Sequence, residues 1–251
     1  MLIRFISSIQ RAGLEGKELQ MEIHGFQKTT LLDYPGHIAS TIFLGGCNFR
    51  CPFCHNASLV LSPAGQPTIP EEEVLKTLKK RVGIIEGICI TGGEPTLYPG
   101  LFTFIHKIKE LGFLVKLDTN GNNPHIIKEL TEKGYLDYIA MDIKNSREKY
   151  GLSCGINPFN LSRVSESVSY LLSNPVDYEF RTTVVREHHT QKDIQQIGEW
   201  TQGAKAYYLQ PYKDSDDIIQ PGLSSPTKQE LLEYKDILSS YVQNVSIRGI
   251  D

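Results

Sequence analysis

The sequence lacks any apolar run of the roughly 18 residues that a membrane-spanning helix requires. It also lacks an excess of charge, because 26 Lys and Arg residues stand against 29 Asp and Glu residues, for a formal net charge of −3. This balance argues against a strongly cationic nucleic-acid binder, so we expect neither a membrane nor a nucleic acid as a partner. Hydrophobic residues make up 40% of the 251 residues, which is typical of a globular chain.

Cysteine is scarce and unevenly distributed. The chain has five cysteines, an odd number that does not suit a secreted disulfide framework. Cys47, Cys51 and Cys54 fall close together, whereas Cys89 and Cys154 stand alone. This distribution indicates that the three clustered cysteines are ligands of an inorganic centre, in a protein of the reducing cytoplasm.

Apolar runs rich in β-branched residues alternate with helix-length amphipathic segments from residue 38 onward, a pattern typical of an α/β fold. Six strands are predicted, at Ile38–Leu44, Gly87–Thr91, Phe113–Asp118, Tyr138–Ile143, Tyr178–Val185 and Lys205–Gln210, followed by a last strand at Asn244–Ile247. Helices are predicted at Pro70–Arg81, Gly100–Leu111, Pro124–Lys133, Leu161–Ser173, Thr190–Thr201 and Thr227–Val242. Successive βα units predict a parallel sheet, closed or partly closed as a barrel, with functional residues at the carboxyl ends of its strands.

The chain shows no internal repeat or linker that would divide it, so residues 21–251 are predicted to form one domain. Met21 opens a strand-and-turn pattern, MEIHGFQKTTLLDYPG. Residues 1–20 are therefore either an added N-terminal arm or the product of an upstream start codon, and both alternatives stay open.

The segment CNFRCPFC places three cysteines in a CxxxCxxC spacing on the loop after the first predicted strand. A cubane iron–sulfur cluster has four irons, so three cysteine ligands leave one iron open to a substrate or cofactor. The alternative is a structural zinc ion with His55 or a remote cysteine as its fourth ligand. Zinc sites usually pair two short ligand clusters, and the chain has no second CxxC or HxxxH pair, which favours the iron–sulfur cluster.

A glycine-rich turn, Thr91-Gly92-Gly93-Glu94-Pro95, follows the second predicted strand. Glycines at the end of a strand let the backbone approach a ligand closely. GGEP alone is typical of an ordinary turn. Its predicted position on the same rim as the CxxxCxxC loop indicates a shared site.

Together the two motifs resemble the signature of the radical S-adenosylmethionine superfamily, including the aromatic Phe53 before the third cysteine. The resemblance implies a partial parallel (β/α)6 barrel. It also implies a [4Fe-4S] cluster on the three clustered cysteines, whose unique iron binds S-adenosylmethionine. By the same resemblance, Phe53, Gly92, Gly93 and Glu94 contact that cofactor.

Two further motifs, Asp118-Thr119-Asn120-Gly121 and Asp142-Ile143-Lys144, lie at the ends of the third and fourth predicted strands. An ordinary salt bridge or loop cap is the alternative for each charge alone. The motifs resemble the DTNG and DxK elements of the glycyl-radical-enzyme activating enzymes. That resemblance implies that Asp118 and Asn120 contact the cofactor, that Asp118 and Asp142 hold a monovalent cation, and that Asp142 and Lys144 contact a peptide substrate.

The fifth and sixth predicted strands add two candidates. Arg181 lies among apolar neighbours, where an unpaired charge would be costly, and it resembles a family arginine near the cofactor. The segment LQPYK resembles a family LPYH segment whose histidine touches the peptide, but Lys213 stands in the histidine's place. This departure leaves the identity of the target peptide open.

The resemblance implies an oxidoreductase that cleaves S-adenosylmethionine and uses the 5′-deoxyadenosyl radical to generate a glycyl radical on a partner enzyme, with no general acid or base. The short chain is most similar to the activase of anaerobic ribonucleoside-triphosphate reductase, because two leftover cysteines cannot supply the additional clusters of larger activases. Flavodoxin or ferredoxin would donate the electron. The alternatives are a radical enzyme that acts on a small molecule or RNA, and a zinc-stabilised binding module without turnover.

Overall fold

Eight strands form one sheet in residues 21–249, the part of the chain that the computed structural model describes. They lie side by side in chain order: β1 (Ile23–Thr30), β2 (Ala39–Leu44), β3 (Gly87–Gly92), β4 (Leu114–Thr119), β5 (Tyr138–Asp142), β6 (Asp177–Val184), β7 (Ala206–Pro211) and β8 (Asn244–Ile247). β1 is antiparallel to β2, and each later neighbouring pair is parallel. The predicted α/β partial barrel is therefore confirmed, with β2 to β7 as its six predicted strands. The predicted extension, residues 1–20, lies outside the described residues.

Helices connect the parallel strands, at α1 (Ala57–Leu61), α2 (Glu71–Lys79), α3 (Leu101–Glu110), α4 (Pro124–Glu132), α5 (Tyr150–Cys154), α6 (Ser162–Leu172), α7 (Gln191–Trp200) and α8 (Lys228–Ser239). The six predicted helices are confirmed with ends that differ by at most three residues. Capping boxes begin α7 at Thr190 and α8 at Thr227. Within residues 21–249, none of the helices is both long enough and apolar enough to span a membrane.

The two faces of the sheet differ in polarity. On β4, Val115 and Leu117 are fully buried in the apolar core between sheet and helices. The alternate residues Lys116 and Asp118 share the opposite face, where Asp118 contacts Arg181 of β6. The concave face of the sheet is therefore polar at the carboxyl ends of the central strands.

Candidate active site

A pocket lies at the carboxyl ends of β2 to β6, where the sequence predicted the functional residues. All the predicted site residues except Glu94 and Lys213 line it: Cys47, Cys51, Phe53, Cys54, Gly92, Gly93, Asp118, Asn120, Asp142, Lys144 and Arg181. The parallel register explains this convergence, because it aligns the ends of neighbouring strands and places Asp142 directly beside Arg181.

The cysteine loop, residues 45–56, is fastened to its surroundings by backbone hydrogen bonds. The Gly46 N–H donates to the Leu59 carbonyl at 2.7 Å, and the Gly46 carbonyl accepts from the Glu94 N–H at 2.8 Å. The Arg50 N–H donates to the Cys154 carbonyl at 2.8 Å. Cys154, for which the sequence indicated no role, thus supports the loop through its backbone.

The three clustered cysteines fit an iron–sulfur cluster. The Phe49 N–H lies 3.3 Å from Cys47 Sγ, and the Asn120 amide nitrogen lies 3.8 Å from the same sulfur, so both can donate to a thiolate there. A cubane binds its cysteines through different irons, so the sulfurs need not converge on one point. Among residues 21–249, no three His, Cys, Asp or Glu side chains are grouped so that they could hold a single metal ion, and the zinc alternative gains no support.

Burial controls the acidity of these thiols. It raises the pKa of Cys47 to about 11 and that of Cys51 to about 12, and it also raises the pKa of Cys54. The Lys144 ammonium lies near enough to oppose the increase at all three sulfurs. The thiols therefore release protons when they bind iron.

The glycine turn after β3 packs directly against the cysteine loop. Gly92 has a φ of +122°, and a Cβ there would lie 2.2 Å from the Leu44 carbonyl oxygen. A Cβ on Gly93 would lie 1.9 Å from the Gly46 carbonyl oxygen. Both positions require glycine because backbone, which cannot rotate away, occupies the space of a side chain.

Glu94 lies behind the pocket wall and is fully buried. Its carboxylate accepts four hydrogen bonds, from the N–H and hydroxyl of Thr96 and from the Thr119 hydroxyl and the Asn120 N–H. Burial raises the pKa of this carboxyl, although the four donors lower it in part. Glu94 therefore joins the ends of β3 and β4, and its direct contact with a cofactor stays a prediction.

Five charged side chains of alternating sign form a charge chain along the rim: Lys116, Asp118, Arg181, Asp142 and Lys144. Arg181 bridges the two carboxylates with contacts of 3.0 Å to each, and Lys144 lies 2.9 Å from Asp142. Lys116 contacts the remaining oxygen of Asp118. Although burial would raise the pKa of Asp142, its cationic neighbours lower it to about 2, and they also lower that of Asp118. Lys116 was not predicted from the sequence, although it lies two residues before Asp118 on the same strand.

Lys213 lies in a neighbouring pocket, together with Gln210 of β7 and Arg248 after β8. His55 and Thr183 line both pockets, so the two adjoin. Arg248 was not predicted from the sequence. It lies over the Tyr208 ring and pairs through two nitrogens with the buried Glu179. Lys213 thus lies outside the first pocket, in one that adjoins it, and its contact with a peptide stays a prediction.

A partial barrel that carries a three-cysteine loop and a glycine turn at its carboxyl rim defines an enzyme built around a cofactor-binding iron–sulfur cluster. The model of the Radical SAM superfamily matches residues 41–200, which is more than half of the chain. The chain belongs to the radical SAM superfamily. Enzymes of this family use a [4Fe-4S] cluster and S-adenosylmethionine, and the described donor set fits both.

Relatives of this chain support this placement, and a solved structure shares its fold. The chain is 33% identical to a Methanocaldococcus jannaschii protein with the provisional name of a glycyl-radical enzyme activating enzyme, covering 91% of this chain and 96% of the relative. It is 32% identical to the pyruvate formate-lyase-activating enzyme of Clostridium pasteurianum over 49% of this chain and 52% of that protein. The crystal structure of Streptococcus suis SuiB bound to S-adenosylmethionine shares the fold, with a TM-score of 0.64 and 14% identity over 81% of this chain and 48% of SuiB.

Proposed function

We propose that this radical SAM enzyme generates a glycyl radical on a partner enzyme. The observation that carries the proposal is the similarity to the M. jannaschii relative over nearly the full length of both chains. The residues of the DTNG and DxK motifs support it, because Asp118, Asp142 and Lys144 all line the pocket at the carboxyl ends of β2 to β6, which we assign as the cofactor pocket. They lie on the same rim as the three cysteines.

When bound, the cluster and S-adenosylmethionine supply a 5′-deoxyadenosyl radical, and the protein supplies position and shelter from water. Cys47, Cys51 and Cys54 would hold the cluster. The charge chain carries three cationic and two anionic groups, so it presents a net positive charge to the carboxylate of S-adenosylmethionine. Gly92 and Gly93 leave the backbone of the turn accessible to that ligand.

The neighbouring pocket is suited to an extended peptide. It presents Thr183, Gln210, Lys213 and Arg248, which can donate to backbone carbonyls, and no carboxylate lines it. The Lys213 ammonium has no hydrogen-bond or ion-pair partner in the described part of the chain. A glycine in such a peptide offers a Cα that no side chain obstructs, and its flanking amides stabilise a radical there.

We further propose anaerobic ribonucleoside-triphosphate reductase as the partner, with flavodoxin or ferredoxin as the electron donor. Cysteine usage supports this choice, because only Cys89 and Cys154 stand beside the three cluster ligands, and two cysteines are too few for a second [4Fe-4S] cluster. We place the reaction in the cytoplasm, since all five cysteines are free.

The test is an anaerobic incubation of the reconstituted protein with reductant, S-adenosylmethionine and the candidate reductase, followed by electron paramagnetic resonance. We expect a glycyl signal that is absent when the target glycine of the reductase is replaced by alanine. If S-adenosylmethionine is cleaved and no glycyl signal forms with any glycyl radical enzyme, the proposal is wrong. Cleavage stimulated by a metabolite or an RNA would then favour the alternative substrates.

A lysine variant separates cofactor cleavage from transfer to the peptide. Lys213→Ala should leave reductive cleavage of S-adenosylmethionine near the wild-type rate and strongly reduce the glycyl signal, because Lys213 lies outside the cofactor pocket. Lys192→Ala is the matched control, since Lys192 is exposed on α7 away from both pockets. Equal loss of both reactions in Lys213→Ala would contradict a role in peptide binding.

A further inference from the structure

The resemblance predicts a monovalent cation between Asp118 and Asp142, but the structure places protein cations on both carboxylates. Arg181 takes one oxygen of each carboxylate, Lys144 takes the second oxygen of Asp142, and Lys116 takes the second oxygen of Asp118. All four carboxylate oxygens thus have a cationic partner. An alkali cation between the two carboxylates would lie beside the Arg181 guanidinium and two ammonium groups, whose positive charges repel it, so the residues present do not fit it.

Lys116 is the least accessible member of this charge chain. Its side chain is 1% exposed, on a strand whose neighbouring residues belong to the apolar core. Besides Asp118, its ammonium contacts the Cys89 sulfur, at 3.7 Å. A buried ammonium is stable only when it is paired, and Asp118 is the one carboxylate with which Lys116 forms an ion pair within residues 21–249. The Lys116 side chain is therefore committed to Asp118.

We propose that the Lys116 ammonium takes the place of the monovalent cation, so that the cofactor site of this protein is complete without Na⁺ or K⁺. A covalently attached cation is present at any salt composition. Lys116 is thus a positioning residue, which holds Asp118 in line with Arg181 at the pocket wall. The inference concerns the cofactor site alone and does not depend on the proposed substrate.

The first test measures the affinity of the anaerobically reconstituted protein for S-adenosylmethionine by titration calorimetry. The salts are KCl, NaCl and tetramethylammonium chloride at equal ionic strength, because tetramethylammonium is too large to replace an alkali ion. We expect the three dissociation constants of the wild-type protein to agree within about twofold. Binding that is about tenfold weaker in tetramethylammonium chloride than in KCl would overturn the proposal.

The second test asks whether Lys116 is the reason for this independence. Lys116→Met removes the charge and leaves an unbranched side chain one heavy atom shorter than lysine, so we expect affinity to fall about tenfold in tetramethylammonium chloride and to recover in KCl or NaCl. Lys192→Met, on the exposed face of α7, should behave as the wild type. A folded Lys116→Met protein whose affinity stays independent of the salt would also overturn the proposal.

A third test measures the melting temperature of the protein without cluster or S-adenosylmethionine. The melting temperature of the cluster-free wild-type protein should be the same in the three salts, whereas that of Lys116→Met should be higher in KCl than in tetramethylammonium chloride. If Lys116→Met does not fold, Lys116→Gln replaces it in both measurements, because the glutamine amide still donates to Asp118 without a charge. Equal melting temperatures of the folded variant in all salts would count against the proposal.

Discussion

Gly93→Ala tests whether the glycine turn sets the position of the cysteine loop. A Cβ at residue 93 would lie 1.9 Å from the carbonyl oxygen of Gly46 and 2.6 Å from its carbon, both backbone atoms. Real Cβ contacts essentially never fall under 3.0 Å, so the loop or the turn must move by about 1 Å. Gly46 directly precedes Cys47, and the displacement therefore reaches the first cluster ligand.

The cost follows from the contacts that this movement breaks. Overpacking of a well-packed site typically costs about 1–3 kcal/mol. The hydrogen bond from the Glu94 N–H to the Gly46 carbonyl, 2.8 Å long, is worth about 1 kcal/mol more if it is lost. We expect Gly93→Ala to lower the free energy of unfolding by about 2–4 kcal/mol.

The assay is urea unfolding of the cluster-free protein, together with iron and sulfide analysis after anaerobic reconstitution. Gly65→Ala is the matched control, because a Cβ there would meet nothing within 4 Å. The control should unfold within about 1 kcal/mol of the wild type and bind a full complement of iron. If Gly93→Ala matches the control in both measurements, the close approach does not position the loop and the reasoning is refuted.

Three further predictions concern titratable groups. Glu94→Gln should lower the free energy of unfolding of the cluster-free protein by about 1–3 kcal/mol, because an amide NH2 group, which can only donate, replaces a carboxylate oxygen that accepts. An unchanged free energy of unfolding would mean that Glu94 has no structural role. Alkylation of Cys47 by iodoacetamide, followed by mass spectrometry, should accelerate up to about pH 11, since burial raises the pKa of the thiol to that value; a rate that levels off near pH 8.5 would contradict this. Asp142 has its pKa lowered from 3.8 to about 2, so its ion pairs stabilise the folded state above pH 3.8 and this stability is lost as the pH falls towards 2. Asp142→Asn should remove that part of the pH dependence of unfolding, and an unchanged profile would show that other groups cause it.

The parallel strands could be predicted because burial on both faces selects apolar, β-branched runs. β1 is different, since it is half exposed and mixes polar with apolar residues along IHGFQKTT. The pattern after Met21 indicated a strand and a turn there, but it did not indicate the antiparallel pairing with β2. α1 and α5 span five residues each, which is too short for an amphipathic period to show.

All the predicted site residues except Arg181 stand at the carboxyl end of a strand or in the loop beyond it. Arg181 lies inside β6 and was predicted from its apolar neighbours and from the family resemblance. Lys116 also lies inside a strand, but no family motif pointed to it. Arg248 was not predicted either, because its partner Glu179 is 69 positions away in the sequence. Contacts at such separations depend on the register of the strands, which one sequence does not reveal.

The rim is held together by side chains that join neighbouring strands. Glu94 joins β3 to β4, and Arg181 joins β6 to both β4 and β5. Each of these groups has its hydrogen-bond or ion-pair partners within the chain itself. The pocket wall therefore does not need a ligand to order it, and the energy of ligand binding is available to orient the ligand. The cysteine loop belongs to the same assembly, because the Glu94 N–H and the Gly46 carbonyl connect it to the wall. A displacement at the glycine turn should consequently affect the cluster ligands and the charge chain together.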